Sequence, residues 1–141
     1  MNDFLLNTVY FELGDAVGRE NVSIRTADKL SHSMDYFWLP RMYVDRGEFP
    51  PEADFVVYPG SAQEVSKVLV IANYYKIPVY TWGGGSGSQG GALPVKGGII
   101  LDTKRMNKVI DSDERSMTVT VEAGMIFGRL EWYANERGYS L

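Results

Sequence analysis

The chain of 141 residues has the length of one domain, and 45% hydrophobic residues are enough to build a core. Its 14 basic and 18 acidic residues give a net charge of -4 without a basic patch, so we expect no nucleic-acid partner. The absence of cysteine and the single histidine, His32, exclude disulfides and thiolate ligands, and we predict no metal site. No signal-like start and no apolar run of the ~20 residues that span a bilayer is present, so we expect a cytoplasmic protein.

The N-terminal part of the chain is predicted to be mostly helical. Apolar residues at spacings of three and four predict an amphipathic helix over residues 3–17, ended by Gly14 or Gly18. A short extended piece is predicted at residues 22–24 and a helical turn at residues 26–30. Nothing in these elements indicates chemistry.

Residues 31–51 are rich in aromatic side chains and contain Pro40, Pro50 and Pro51, which argue against a long helix, so we predict an irregular segment. Its aromatic residues are more often core or interface anchors than a lid over a planar ligand. His32 and Asp35 suggest acid–base chemistry, but nothing in the sequence places them together. An exposed or hydrogen-bonded histidine without a catalytic role is the commoner outcome.

A strand, a helix and a second strand follow. Residues 55–58 form an unbroken apolar run, which predicts a strand buried on both faces. Ser61 and Glu64 have the spacing of a capping box, in which each side chain bonds the other residue's backbone N–H, ahead of a helix over residues 62–75. Residues 78–81 supply the next strand. The three elements predict a βαβ unit with parallel strands and a right-handed crossover.

A glycine-rich stretch, residues 80–98, begins where this second strand ends. Glycine allows positive φ and close approach to the main chain, so such stretches can bind phosphate through successive N–H groups. A flexible linker is the alternative, but regular structure flanks the stretch, with an apolar strand at residues 99–101. Ligands bind open α/β sheets at the carboxyl ends of the strands, which favours an anion site.

Two familiar nucleotide motifs do not fit this stretch. A P-loop needs Lys-Ser or Lys-Thr after its last glycine, and the first lysine is Lys96, beyond Pro94. Residues 85–90 match G-x-G-x-x-G, and Asp102 ends the next strand, but the fingerprint of a Rossmann fold opens a helix. No helix fits between Gly91 and Gly98. The stretch must therefore contact phosphate through its own amides.

The remainder of the chain is predicted to contain a hairpin and a helix. Residues 108–111 and the alternating residues 117–122 predict two antiparallel strands joined by a turn. Apolar residues then predict a helix over residues 126–137 that ends near Gly138.

Four motifs agree in order and spacing with a known family: P-G-S-A-Q-E-V (59–65), P-V-Y-T-W-G-G-G-S-G-S-Q-G-G-A-L-P (78–94), G-G-I-I-L-D-T-K-R-M-N-K-V-I-D (97–111) and T-V-T-V-E-A-G-M (118–125). The chain from about residue 54 onward resembles the FAD-linked oxidases, whose flavin domain is of the vanillyl-alcohol-oxidase (PCMH) type. Members include D-lactate and glycolate dehydrogenases and alkyldihydroxyacetonephosphate synthase. The resemblance implies an α+β fold with a βαβ unit, a small mixed sheet and an N-terminal helix.

The resemblance also implies that residues 83–91 wrap the pyrophosphate of FAD, and that Gly124 lets the backbone approach the flavin. An ordinary break between strand and helix explains Gly124 equally well. The family often has Arg at Trp82 and Thr at Ser86, so phosphate charge would rest more on amide dipoles here. Relatives that attach flavin covalently from this loop carry His at Ser86, so we expect non-covalent FAD. The predicted cofactor-binding residues are Trp82, Gly83, Gly84, Gly85, Ser86, Gly87, Ser88, Gln89, Gly90, Gly91 and Gly124.

We divide the chain into a helical, aromatic-rich lead-in (1–52) and the N-terminal part of an FAD-binding domain (53–141). In the family, this part continues into a second sub-domain and a substrate domain that supplies most catalytic residues, so we expect the first part of a longer oxidoreductase or a truncated gene. We name no catalytic residue and expect no turnover by this chain alone. The expected parent activity is oxidation of a small hydroxylated substrate such as a 2-hydroxy acid. The alternative is a non-catalytic, self-associating module without FAD.

Overall fold

A computed structural model describes residues 3–141 of the chain. The helices are α1 (Asp3–Val17), α2 (Thr26–Ser31), α3 (Trp38–Asp45), α4 (Ala62–Tyr75) and α5 (Phe127–Asn135), with one 3-10 turn at Arg19–Asn21. The strands are β1 (Val22–Ser23), β2 (Phe55–Val57), β3 (Val79–Trp82), β4 (Ile99–Asp102), β5 (Val109–Asp113) and β6 (Thr118–Val121). The architecture is α+β, as predicted.

Four strands form a mixed sheet in the order β1-β2-β4-β3. Strands β2, β4 and β3 are parallel, and the short β1 is antiparallel to β2. The predicted βαβ unit is confirmed in its parallel orientation. However, β4 lies between β2 and β3, so the glycine loop, residues 83–98, is the connection that brings the chain back to the centre of the sheet.

The two faces of this sheet are covered by different parts of the chain. Because side chains alternate along a strand, Phe55 and Val57 face one side and Val56 the other. The first side packs against α1 and α4 in a cluster that includes Val9, Leu13, Val68 and Ala72. On the second side, Val56 joins Ala53, Trp82 and Ile100. The prediction that the β2 run is buried on both faces is confirmed.

Helix α4 has the predicted bounds, but its capping box differs in one bond. The Ser61 Oγ accepts a hydrogen bond from the Glu64 N–H at 3.2 Å, as predicted. The Glu64 carboxylate accepts from the N–H of Gly60, at 2.7 Å, rather than from the N-cap residue. The carboxylate thus stabilises the turn before the helix. Helix α1 also has its predicted bounds; Gly18, at φ 88°, ends it and Gly14 lies within it.

The irregular structure predicted for residues 31–51 is wrong in part, because α3 occupies the centre of this segment. Pro40 is the third residue of α3, where its missing N–H has no helical acceptor to lose. A core position is wrong for three of the aromatic residues, since Tyr36, Trp38 and Phe49 are exposed, whereas a role as interface anchors stays a prediction. Phe37 packs against the glycine loop at Gly90.

The C-terminal hairpin and helix are confirmed with shifted bounds. Strands β5 and β6 pair antiparallel as a separate two-stranded sheet. Strand β5 continues to Asp113, two residues beyond its predicted end, and α5 is shorter than predicted at both ends. None of the helices in residues 3–141 is both long enough and apolar enough to cross a membrane.

Candidate functional site

The glycine loop begins at the carboxyl end of β3 and is anchored at both ends. At its start, the Trp82 carbonyl accepts a hydrogen bond from the Thr103 N–H at 3.0 Å. At its end, the Gly98 N–H donates to the Asp54 carboxylate at 2.6 Å, and the Asp54 N–H donates to the Gly98 carbonyl at 2.8 Å. The start of the loop is therefore fixed to the residue after β4 and its end to the residue before β2. The intervening residues return the chain from the edge where the parallel strands finish to the edge where they begin.

The backbone donors in the first part of the loop, residues 83–92, are free. No N–H group of residues 83–92 donates a hydrogen bond within the described chain. Most of these residues are exposed, so water can reach their donors. Gly85 and Gly90 have φ of 66° and 74°, and alternation of positive φ with ordinary backbone turns successive N–H groups toward one point. Such an arrangement favours an anion.

The glycines of the loop fall into two groups according to what a Cβ atom would meet. A Cβ on Gly85 would lie 2.7 Å from the Trp82 ring, and one on Gly90 would lie 2.8 Å from the Phe37 ring. A Cβ on Gly83, Gly84 or Gly91 would meet nothing within 4 Å, and none of these three has a positive φ. Packing and backbone conformation thus account for Gly85 and Gly90. They do not account for the other three, whose bare faces border open space where a ligand can approach.

The polar side chains predicted to assist the loop are free for a ligand. Ser86, Ser88 and Gln89 are exposed and make no hydrogen bond with any described residue. Trp82 differs, because only 8% of it is exposed and its ring packs edge-on against His32 with centroids 4.9 Å apart. Trp82 therefore supports the loop from beneath, at Gly85.

Gly124 lies near the start of the loop through one intermediary. The Thr103 hydroxyl lies 3.3 Å from the carbonyl oxygens of both Trp82 and Ala123. A Cβ on Gly124 would lie 1.8 Å from the Thr103 carbonyl oxygen, so contact with that backbone already requires glycine here. The predicted contact of Gly124 with a flavin stays a prediction.

Beneath Trp82 lies a buried ion pair that the sequence did not reveal. The His32 Nε2 atom is 3.0 Å from the Asp102 Oδ2 atom, and both residues are almost fully buried. Lys104 adds its backbone N–H at 2.8 Å and its ammonium at 3.1 Å to the same carboxylate. Burial alone raises the pKa of Asp102, but the hydrogen bonds from His32 and Lys104 outweigh it and hold that pKa below its ordinary value.

Both ring nitrogens of His32 have a partner within hydrogen-bond distance. Its Nδ1 atom lies 2.7 Å from the Asp28 carbonyl oxygen, and its Nε2 atom faces the Asp102 carboxylate. Through these two contacts His32 ties the end of α2 to the end of β4. His32 does not interact with Asp35, the pairing considered from the sequence.

Tyr58 flanks this pair on the side of β2. Burial, reinforced by the negative charges of Asp28 and Asp102, raises the pKa of Tyr58 to about 12. The Lys104 ammonium lies 4.1 Å from the centre of its ring. Tyr58 therefore remains a neutral phenol at physiological pH and contributes a cation–π contact to the cluster.

Asp35 is the other polar residue that sequence reasoning left without a role. It lies in the α2–α3 connection, residues 32–37, where its Oδ1 atom accepts from the Phe37 N–H at 2.9 Å. Its Oδ2 atom is buried and has no hydrogen-bond partner in the described chain. A Cβ on Gly87 would lie 3.4 Å from that oxygen, so the carboxylate faces the loop. No local pattern links Asp35 to the loop, because Gly87 lies in a distant part of the sequence.

A dinucleotide pyrophosphate fits the chemistry of the loop. Free N–H donors, exposed serine hydroxyls and glycines that border open space are the features that bind phosphate without a helix N-terminus. The structure gives no comparable set for a metal ion, since residues 3–141 contain no cluster of three or more potential ligands among His, Cys, Asp and Glu.

Comparison with known proteins agrees with this assignment. Residues 53–141 match the family described as FAD binding domain. The chain is 33% identical over 121 residues to a probable mitochondrial D-lactate dehydrogenase of Danio rerio, covering 86% of this chain and 22% of that protein. It is 30% identical over 109 residues to the glycolate oxidase subunit GlcD of Bacillus subtilis, covering 77% of this chain and 21% of that protein.

Solved structures show the same fold. A structure of alkyldihydroxyacetonephosphate synthase aligns with a TM-score of 0.84 and 25% identity, over 96% of this chain and 26% of that one. p-Cresol methylhydroxylase aligns with a TM-score of 0.80 at 24% identity, which shows the fold alone. The chain thus spans about a fifth to a quarter of the length of these proteins.

Proposed function

The chain belongs to the FAD binding domain family, and from this premise we propose that it binds FAD non-covalently, with the pyrophosphate held by the glycine loop. The observation that carries the proposal is the run of free N–H donors in residues 83–92. The bare faces of Gly83, Gly84 and Gly91 support it, because a side chain there would occupy the approach to those donors.

Each part of the site has a separate task in this proposal. The loop amides and the hydroxyls of Ser86 and Ser88 donate to the phosphate oxygens. Residues 82–92 offer no cationic side chain to assist them, and Trp82 stands where many family members have arginine. The Thr103 hydrogen bonds and the Asp54–Gly98 pair hold the loop ends in place, so the donors are positioned before the ligand arrives.

The buried pair of His32 and Asp102 keeps the floor of the site in place. It joins the α2–α3 connection to β4 directly below Trp82, which in turn packs beneath Gly85. A bound flavin supplies a two-electron acceptor for oxidation of a hydroxylated substrate. The residues described here bind and orient the cofactor, and none of them is assigned a proton transfer.

The proposed parent activity is flavin-dependent oxidation of a small hydroxylated substrate, such as a 2-hydroxy acid. Its support is the family match and the similarity to a probable D-lactate dehydrogenase and a glycolate oxidase subunit. We expect the activity to require polypeptide beyond this chain, because the chain spans about a fifth of those relatives.

FAD binding is tested on the purified chain. We expect bound flavin absorbance near 450 nm, roughly where oxidised flavin cofactors absorb, and a rise in melting temperature with added FAD. Riboflavin, which lacks the pyrophosphate, is the control ligand and should bind much more weakly. Absence of both flavin absorbance and a thermal shift would contradict FAD binding by this chain, but it would not affect its family membership.

A second candidate is a non-catalytic module that associates with another copy of itself. The observation in its favour is a group of large exposed side chains on the hairpin and α5, namely Ile110, Met117, Phe127 and Trp132. Exposed apolar side chains mark an interface where they form one patch. Light scattering over a concentration series decides the matter: a monomer at high concentration counts against self-association, and a dimer that loses affinity on Trp132→Ser supports it.

A further inference from the structure

Asp35 and the glycine loop present unsatisfied groups of opposite kinds to each other. The Asp35 Oδ2 atom is buried without a donor, and the loop amides opposite it lack acceptors. The Gly87 backbone is close enough that an added Cβ would lie 3.4 Å from Oδ2. Leaving a buried acceptor unpaired costs about 1–3 kcal/mol, more when it is charged, so a small shift that pairs them is favoured.

The geometry limits which donor can reach this oxygen. Because Oδ2 is buried, a ligand in solution cannot contact it without displacing the protein atoms that cover it. The other carboxylate oxygen is occupied by the Phe37 N–H, which fixes the direction of the side chain. Phe37 in turn packs against Gly90, so the connection contacts the loop at two points. The backbone N–H groups that flank the Gly87 Cα atom are those of Gly87 and Ser88, and both lack an acceptor within residues 3–141.

We propose that Asp35 is a positioning residue of the anion site: its carboxylate accepts a backbone N–H at Gly87 or Ser88 and holds the loop in the arrangement that binds pyrophosphate. The proposal deepens the proposed function and rests on it for the ligand. Through Asp35 the α2–α3 connection, which precedes the family match, becomes part of the cofactor site. The carboxylate acts on the loop and does not touch the ligand.

The first test is binding of inorganic pyrophosphate and FAD by wild type, Asp35→Asn and Asp45→Asn. If the oxygen of the new amide in Asp35→Asn accepts from the Phe37 N–H, the amide NH2 faces the loop, where it cannot pair with an N–H group. If the amide is turned the other way, only a neutral oxygen faces the loop. We expect Asp35→Asn to weaken both ligands by about tenfold or more, the worth of one charge-assisted hydrogen bond. Asp45→Asn is the matched control, because it removes an equal charge from an exposed residue whose ion pair within residues 3–141 is with Arg41, at 3.3 Å.

The direction of the change in pyrophosphate affinity distinguishes a positioning role of Asp35 from electrostatic repulsion between its carboxylate and the ligand. Removal of a negative charge near an anion site would strengthen pyrophosphate binding if Asp35 acted only through its charge. Unchanged or tighter pyrophosphate binding by Asp35→Asn would therefore overturn the proposal. Loss of FAD affinity with full retention of pyrophosphate affinity would also overturn it, because Asp35 would then affect a part of FAD other than the pyrophosphate.

A second measurement needs no ligand and keeps the two proposals separable. In ¹H–¹⁵N spectra of the free chain, the Gly87 or Ser88 amide proton should lie downfield and exchange slowly in wild type. Both features should disappear in Asp35→Asn and persist in Asp45→Asn. If wild type binds neither pyrophosphate nor FAD, the proposed function fails and this spectrum alone decides the Asp35 contact. Identical loop amide signals in wild type and Asp35→Asn refute the contact.

Discussion

The Nε2 atom of His32 lies 3.0 Å from the Oδ2 atom of Asp102, so the residue that follows α2 is paired with the last residue of β4. Both side chains are buried. The Asp102 carboxylate is bonded by His32 on one side and by Lys104 on the other. Loss of a partner leaves buried polar groups without the hydrogen bonds that compensate their burial.

Asp102→Asn should therefore destabilise the fold by about 3 kcal/mol, the cost of breaking a buried pair from one side. The substitution keeps the size of the side chain but replaces the carboxylate that His32 and Lys104 share with a neutral amide. Urea unfolding at neutral pH measures the change in free energy. Asp45→Asn, on the exposed face of α3, should change it by less than about 0.5 kcal/mol. Equal stability of Asp102→Asn and wild type would show that the pair contributes nothing.

The same carboxylate predicts how stability depends on acid. The pKa of Asp102 in the folded chain lies below its ordinary value of 3.8, so the unfolded chain binds this proton more readily. Its contribution is therefore fully present at neutral pH and is lost as the pH falls below 3.8 through the folded pKa. The gap in unfolding free energy between wild type and Asp102→Asn should shrink between pH 5 and pH 2, which urea titrations at fixed pH values measure; a constant gap would contradict the assignment.

Gly84→Ala should weaken FAD binding without weakening the fold. The added Cβ meets nothing in the protein and the backbone there has no positive φ, so stability should change by less than about 0.5 kcal/mol. The methyl group would lie on the open side of the loop, where we expect at least a tenfold loss of affinity. Gly128→Ala is the control, because its Cβ also meets nothing but lies on α5; it should gain about 0.5–1 kcal/mol from helix propensity and bind FAD normally. Normal binding by Gly84→Ala would mean that the ligand does not approach this face.

Gly124→Ala should be strongly destabilising for a reason unrelated to any ligand. The new Cβ would lie 1.8 Å from the Thr103 carbonyl oxygen and 2.8 Å from that of Met106, so the backbone must move. We expect a loss of about 2–3 kcal/mol, the usual cost of overpacking. Thermal unfolding of the ligand-free chain measures it. A variant that folds normally but fails to bind FAD would instead support the predicted flavin contact.

Elements of this fold could be predicted from the sequence where the interactions that form them are between residues close together in the chain. Helix α4 was predicted to the residue because Ser61 and the apolar spacing that follows act locally. Helix α3 was missed because Pro40 was treated as a barrier, whereas a proline in the first turn loses no hydrogen bond. The loop was found through its composition.

The surroundings of the loop could not be found in the same way. Asp102 was considered only as part of a motif that did not fit, and its partner lies seventy residues away. Asp35 and Phe37 contact Gly87 and Gly90, which lie in a distant part of the sequence. Thr103 carries no unusual local signal, although it joins Trp82 to Ala123. Side chains that act across elements depend on tertiary structure, and one sequence does not display it.

The position of β4 between β2 and β3 has a consequence for unfolding kinetics. Parallel neighbours need a long return connection, usually a helix, and between β3 and β4 that connection is the bare loop of residues 83–98. The loop therefore acts as the crossover that holds the central strand in place. A ligand bound to the loop would restrain this crossover, as a helix does in other parallel sheets. Without the ligand, β4 should leave the sheet sooner, so FAD should slow unfolding as well as raise the midpoint of thermal unfolding.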